Sequence, residues 1–215
     1  MMNDYIIPDF KKSALITIDV QCDCTLPGAP LEIPGTLSKL PKMQRLVKAF
    51  RAARKPIIHI VRLYLADGSN VDNCRRSTIE LGKSILLLGS DGAELVAELK
   101  PASGIRLDST KLLRGELQTI GSHEWIIYKP RWGAFYRTPL EAHLHHLDLN
   151  TIVLCGCNFP NCPRTTVYEA SERDFRIVLV TDAVSRTYKR GLLELENIGV
   201  KLVKTKEFIS ELVGY

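Results

Sequence analysis

The chain has 215 residues, 45% of them hydrophobic and 25% charged, with 14 Gly, 11 Pro and a mean hydropathy of -0.01, which excludes collagen, coiled coil and disorder. Lys and Arg total 29 against 24 Asp and Glu, a formal +5, but they fall as scattered pairs such as Lys11-Lys12, Arg54-Lys55 and Arg75-Arg76, not as the clustered basic face that nucleic acid requires. No apolar run approaches the roughly 18 residues of a membrane span, no secretion signal opens the chain, and six cysteines at this length do not make a disulfide framework. The expectation is a cytoplasmic protein with reduced thiols that acts on a small molecule, without nucleic-acid or membrane partners.

Residues 13–20 (SALITIDV) are a β-branched apolar run closed by an acid, the pattern of a buried parallel strand reaching its carboxyl edge. Leu40, Met43, Leu46, Val47 and Phe50 recur at helical spacing over 40–54, Pro56 stops that helix, and 57–62 is a second strand. Residues 64–122 break the rhythm with a turn signal at 67–70, helices near 77–88 and 93–99, and no clear strand. They read as an irregular insertion covering the sheet edge or the site. Alternation returns with strands at 125–129, 151–156, 175–181 and 200–204 and helices at 140–147, 162–173, 192–197 and 206–213. Residues 1–215 thus read as a single α/β domain of three layers, α/β/α, on a mainly parallel, doubly wound sheet.

In such a sheet the ligand crevice lies beyond the carboxyl ends of the strands, where strand order reverses. Asp19 closes the first strand, Lys129 closes 125–129, and Cys162 follows 151–156 across a short loop and opens a helix. Pro163 suits the first helical position, which puts Cys162 at the N-cap, where the helix dipole lowers a thiol pKa. Each residue alone has an ordinary role as a cap, a solvated strand end or a small buried hydrophobe. Together at one sheet edge they supply a base, a cation and a nucleophile, the parts of covalent acyl transfer.

The residues around these three carry a resemblance. Asp19-Val20-Gln21 resembles an Asp-x-Gln after the first strand, Lys129-Pro130-Arg131-Trp132-Gly133-Ala134-Phe135 a Lys-x-x-aromatic-small-small-Phe segment, and 156–162 a Gly-x-x-Thr-x-x-Cys loop followed by a helix and then Asp182-Ala183. The chain is similar over nearly its whole length to the isochorismatase-like cysteine hydrolase superfamily, whose members include nicotinamidases, amidohydrolases of carbamoylsarcosine, biuret and ureidoacrylate, and isochorismatase. The resemblance implies a Rossmann-like strand order and a catalytic triad of Asp19 as base, Lys129 as electrostatic partner and Cys162 as nucleophile. It also implies a non-proline cis peptide at Cys157-Asn158, an oxyanion hole from the amides of Asn158 and Cys162, no dissociable cofactor, and a homo-oligomer, dimer or tetramer. The substrate would meet Gln21, Arg62, Tyr64, Trp132, Phe135 and Phe159, with Arg62, Arg75 and Arg76 as candidates for a substrate carboxylate.

Three departures bear on the pocket. Phe159 stands in place of the loop threonine, Pro163 follows the nucleophile, and Cys24 replaces an aromatic residue after Asp-x-Gln. Nicotinamidases carry an Asp-x-His metal site after the second strand, where this chain reads Arg62-Leu63-Tyr64-Leu65, so no metal is expected. The expected reaction is hydrolysis of a small amide, ureide or related C–N bond through a thioester. Its alternatives are the vinyl-ether hydrolysis of isochorismatase and a slow binding or regulatory module on the same scaffold. Other signals are weaker. Cys22-x-Cys24 and Cys155-x-Cys157 are too closely spaced for the usual Cys-x2-Cys metal site, His143, His145 and His146 fit a solvated helix face, and Gly82-Lys83-Ser84 lacks the first glycine of a phosphate loop because position 77 is Ser.

Overall fold

The computed structural model describes residues 4–213. Its strands are β1 (Ser13–Ile18), β2 (Ile57–Val61), β3 (Gln118–Gly121), β4 (Glu124–Tyr128), β5 (Thr151–Gly156), β6 (Arg176–Val184) and β7 (Lys201–Val203). They form one sheet in the order β3-β4-β2-β1-β5-β6-β7, parallel throughout except for the antiparallel edge pair β3–β4. Every residue of β1, β2 and β5 is buried, the signature of strands covered on both faces by helices. This is the three-layer doubly wound architecture.

The helices are α1 (Cys22–Thr25), α2 (Thr36–Ala52), α3 (Asn73–Glu80), α4 (Ser109–Leu113), α5 (Leu140–His146), α6 (Cys162–Ser171), α7 (Lys189–Glu196) and α8 (Thr205–Val213). Helix α2 turns Leu40, Met43, Leu46, Val47 and Phe50 into the core, and Phe50 stacks on Phe208 of α8 at 5.8 Å between ring centroids. It starts at Thr36, before the expected residue 40, and runs through Pro41. Near a helix start, a proline removes at most one ladder bond. Among the described residues, no helix is long and apolar enough to cross a membrane.

The insertion is where sequence and structure diverge. It does contain a strand, β3, which the expectation missed: four residues at a sheet edge, none of them buried, are too few to show alternation. The helix expected at 77–88 is instead α3, which buries none of its residues. Ile85 and Leu86 are buried in the irregular segment after it, where Leu86 has φ 49° and Leu87 bridges to Tyr64. Residues 93–99 form not one helix but two 3-10 turns, Asp91–Ala93 and Ala97–Leu99.

The strands that carry the site are cross-tied. His59 on β2 bonds Thr17 on β1 through Nδ1 at 2.8 Å and Glu124 on β4 through Nε2 at 2.7 Å, and Arg51 of α2 pairs with Glu124 at 2.6 Å. Burial pushes the Glu124 carboxyl up, but Arg51 and His59 outweigh it and hold the group below its usual range. A buried carboxylate with two such partners is satisfied rather than orphaned.

At Gly156 the end of β5 comes close to β1. Its φ is +122°, and an added Cβ would lie 2.6 Å from the Ile18 nitrogen and nearer still to the Ile18 carbonyl oxygen. Neither strand can yield there, because both are core. Gly156→Ala is expected to cost about 3 kcal/mol or more, a fall in Tm of roughly 10 °C. Gly28→Ala, at φ +73° with open space around it, should cost only about 1 kcal/mol. Thermal unfolding of the two variants side by side checks this, and equal losses would contradict the steric account.

Candidate active site

The sheet positions the site through the residue that follows each of four adjacent strands. Lys129 follows β4, Arg62 follows β2, Asp19 follows β1 and Cys157 follows β5. Backbone bonds run on past the strand ends: Lys129 N donates to Val61 O at 2.9 Å, Asp19 N to Ile60 O at 3.0 Å and Cys157 N to Ile18 O at 2.9 Å. These α-carbons are therefore as fixed as the sheet itself. Asp19 adopts φ 52°, a left-handed turn that Asp tolerates better than most residues. The chain reverses strand order between β1 and β5, so the cleft opens at the topological switch point.

Asp19 Oδ2 and Lys129 Nζ form an ion pair at 2.9 Å, the lysine fully buried and the aspartate 5% exposed. Lys129 Nζ also donates to the Arg131 carbonyl at 3.2 Å. The other Asp19 oxygen, Oδ1, is buried with no hydrogen-bond partner among the described residues. Cys162 is the first residue of α6, preceded by Asn161 at the cap position and followed by Pro163, one place into the helix from the expected N-cap. Its thiol shares the cleft wall with Asp19, and Arg62 Nη2 lies 3.9 Å from Sγ.

The helix terminus does not lower this thiol. Burial and the negative charge of Asp19 push Cys162 up to about 11, against the opposing pull of Lys129 and Arg62. The expectation of a depressed pKa is thus corrected: removing the sulfur from water beside Asp19 outweighs the two nearby cations. The peptide bond Cys157–Asn158 is cis. The amides of Asn158 and Cys162 have no acceptor among the described residues, and α6 has no side-chain cap.

The cleft is lined by Asp19, Arg62 and Cys162 together with Cys157, Asn158 and Asn161, and is walled by Cys24, Leu31, Ile33, Arg75 and Leu86. Its volume is about 10 Å³, close to the least that holds one water. The largest described cavity, about 540 Å³, lies at the opposite, amino end of the strands near Asn150 and Arg176 and is lined by no cysteine. Cys24 and Cys157 share the wall of the cleft, and Cys157 Sγ donates to the Asp19 carbonyl at 3.0 Å. Among the described residues, no group of three or more His, Cys, Asp or Glu is placed to hold a metal ion.

Of the residues expected to meet substrate, Arg62 and Arg75 line the cleft, whereas Arg76 is exposed and paired with Glu80 at 3.2 Å. Gln21 is fully buried and spent on the backbone, donating to the carbonyls of Arg62 at 2.7 Å and Ala93 at 2.5 Å and accepting from the Arg62 amide at 2.8 Å. Tyr64 sits behind Arg62, its hydroxyl donating to Asp72 at 2.8 Å and accepting from Arg62 and Arg75. Burial pushes that phenol up to about 12, although both guanidinium groups pull it down. Phe159 packs in the core edge-on to Tyr188, and Phe135 packs there against Phe175 at 5.6 Å. Trp132 borders a separate shallow surface with Asp72 and Cys74. Gln21, Tyr64, Trp132, Phe135 and Phe159 thus stand outside the cleft lining. Their spacing showed that they belong near the strand ends, but not which face of the loop each takes. The actual wall residues Leu31, Ile33 and Leu86 carry no chemical signal, being aliphatic residues in loops.

A sequence model described as the isochorismatase domain matches residues 13–206. The chain is 28% identical over 209 residues to an Arabidopsis thaliana protein named a probable inactive nicotinamidase, covering 94% of this chain and 97% of that one. It is 26% identical over 195 residues to an N-carbamoylsarcosine amidase of Arthrobacter sp, covering 87% and 66% respectively. A crystal structure of an isochorismatase family protein from Desulfovibrio vulgaris superposes with a TM-score of 0.79 at 30% identity, covering 94% of this chain and 98% of the other. A match that takes in every strand of the sheet and all the strand-end residues just described makes the chain a member of the isochorismatase family.

Proposed function

We propose that the protein hydrolyses a small amide or ureide through a thioester on Cys162. The observation that carries this reading is the buried Asp19–Lys129 pair beside the Cys162 thiol in one closed cleft. Because the resting thiol titrates at about 11, it is neutral near pH 7 and must lose its proton as it attacks. Asp19 Oδ1, which has no other partner, takes that proton. The sulfur bonds to the substrate carbonyl carbon, and the displaced electron pair rests on the oxygen, held by the amides of Asn158 and Cys162. The pair then returns to expel the amine, which leaves with the proton from Asp19. Water attacks the thioester, gives its proton to Asp19, and releases the acid and the thiol. Lys129 holds Asp19 in place between steps. Relatives named as amidases of carbamoylsarcosine and maleamate support the bond type.

A slow binding module is the second reading, favoured by the nearly closed cleft and by the relative named as inactive. Ammonia release from a panel of small amides and ureides separates the two. With an active substrate, Cys162→Ala and Asp19→Asn should each lower kcat on the order of 10⁴-fold while the fold persists. Lys129→Met is the better test of the lysine than Lys129→Asn, because it fills the same buried space and leaves only the Asp19 charge unpaired. Substantial activity in Cys162→Ala would replace the thioester with direct attack by water.

The thiol itself gives an independent check. Iodoacetamide labelling of Cys162, resolved from the other five cysteines by peptide mass spectrometry, should rise with pH toward a midpoint near 11. Asp19→Asn removes the charge that raises the thiol, so its midpoint should move to lower pH. An unchanged midpoint would mean that Asp19 does not act on the sulfur.

A further inference from the structure

At the amino edge of the sheet, opposite the Cys162 cleft, a cavity of about 170 Å³ opens between the end of α2, the start of β2 and the turn that joins β3 to β4. Its charges do not balance. Arg51, Arg54 and Lys55 bring three positive charges to the lining, and Glu124 is the single acid there, which leaves an excess of two. That acid is already spent: Arg51 holds it through Nε at 2.8 Å and Nη2 at 2.6 Å, and His59 through Nε2 at 2.7 Å. Arg51 Nη2 also donates to the Leu99 carbonyl at 2.5 Å, so this guanidinium group is fixed in place.

The other two cations are not satisfied in this way. The Arg54 side chain makes no hydrogen bond or ion pair among the described residues, and Lys55 Nζ reaches only the Lys11 carbonyl at 3.2 Å. Burial pushes the Lys55 ammonium down, against the charge of Asp9, which is bonded to the Lys11 amide at 3.0 Å and forms no ion pair with Lys55. The turn adds neutral donors: the Ser122 hydroxyl and the backbone amides of Ser122 and His123 have no acceptor among the described residues. Cations after a helix also complement its dipole, but that dipole is equivalent to only about half a charge, too little to balance the excess.

The donors outnumber what the two oxygens of a carboxylate accept, whereas a phosphoryl group presents three oxygens and up to two negative charges. The cavity has room beyond such a group, and Ile57 and Pro101 give the remainder an apolar wall. We propose that this cavity binds the phosphoryl end of a small phosphorylated metabolite, with Arg54 and Lys55 as its principal ligands and Arg51 and the β3–β4 turn as the fixed floor. The site shares no residue with the Cys162 cleft and does not depend on the hydrolase reading.

Calorimetric titration of the intact protein with glycerol 3-phosphate and with inorganic phosphate, at fixed pH and ionic strength, tests the site. Both should bind one to one, the ester at least as tightly as the free ion. Arg54→Asn and Lys55→Gln should each weaken the ester about ten-fold, the scale of one charge-assisted hydrogen bond. Arg54 has φ 51°, which Asn tolerates better than Arg, so a loss in the folded Arg54→Asn variant reports the missing charge and not the backbone. Lys206→Gln, which removes an exposed cation of α8 outside the cavity, should bind as the wild type does. Absence of saturable ester binding to the wild type, unchanged affinity in both cavity variants, or an equal loss in Lys206→Gln overturns the proposal. Binding of inorganic phosphate without glycerol 3-phosphate overturns it too, in favour of a site for the free ion.

Discussion

The structure is arranged around one ion pair that spans a strand. Asp19 and Lys129 stand at the ends of β1 and β4, with β2 lying between them. Burying either charge alone costs several kcal/mol, so neither residue is tolerable without the other. Their contact therefore requires the register of three strands to be correct at once. The chain Thr17–His59–Glu124–Arg51 secures the same three strands lower in the sheet. Two buried polar ties across one trio of strands fix the carboxyl edge far more tightly than apolar packing would, since apolar side chains accept slippage that hydrogen bonds do not. The loop that carries Cys162 starts from the same edge, at the end of β5, where Gly156 closely approaches Ile18.

The same pair sets the state of the sulfur. A cation beside a thiol ordinarily draws out the thiolate, as does a helix N-terminus. Here Lys129 is neutralised by Asp19 and Arg62 by Asp72, and Asp19 itself faces the thiol. Burial and the Asp19 carboxylate that faces it hold the Cys162 thiol neutral near pH 7. Such a site protects its cysteine from oxidants and alkylating agents that attack thiolates.

How much of this was legible in the sequence follows from what each residue must satisfy. The central strands were readable because burial on both faces demands unbroken β-branched runs such as 13–18 and 151–156. Asp19, Lys129 and Cys162 were readable because charge and sulfur at strand ends are chemically conspicuous. Gln21 was conspicuous in the same way, yet its amide serves the backbone of Arg62 and Ala93: a polar side chain beside a reactive centre is as useful for fixing a loop as for touching a ligand. The insertion was opaque because little of its order is periodic. Strand β3 is a short exposed edge, and α3 has no apolar face to announce it.

That insertion nevertheless controls the site. Leu86 closes the cleft, and its amide is held by Asp23 of α1, only four residues beyond Asp19. Gln21 ties the start of the same short segment to Ala93 at the insertion's far side. Arg75 on α3 and Leu86 after it belong to the stretch of chain that leads to those two anchors. With about 10 Å³ of free space, a ligand larger than water enters only if this stretch or the Leu31–Ile33 loop gives way, because the strand ends beneath are locked by the sheet. Access to Cys162 then depends on the loops over the cleft and not on the strand ends beneath them.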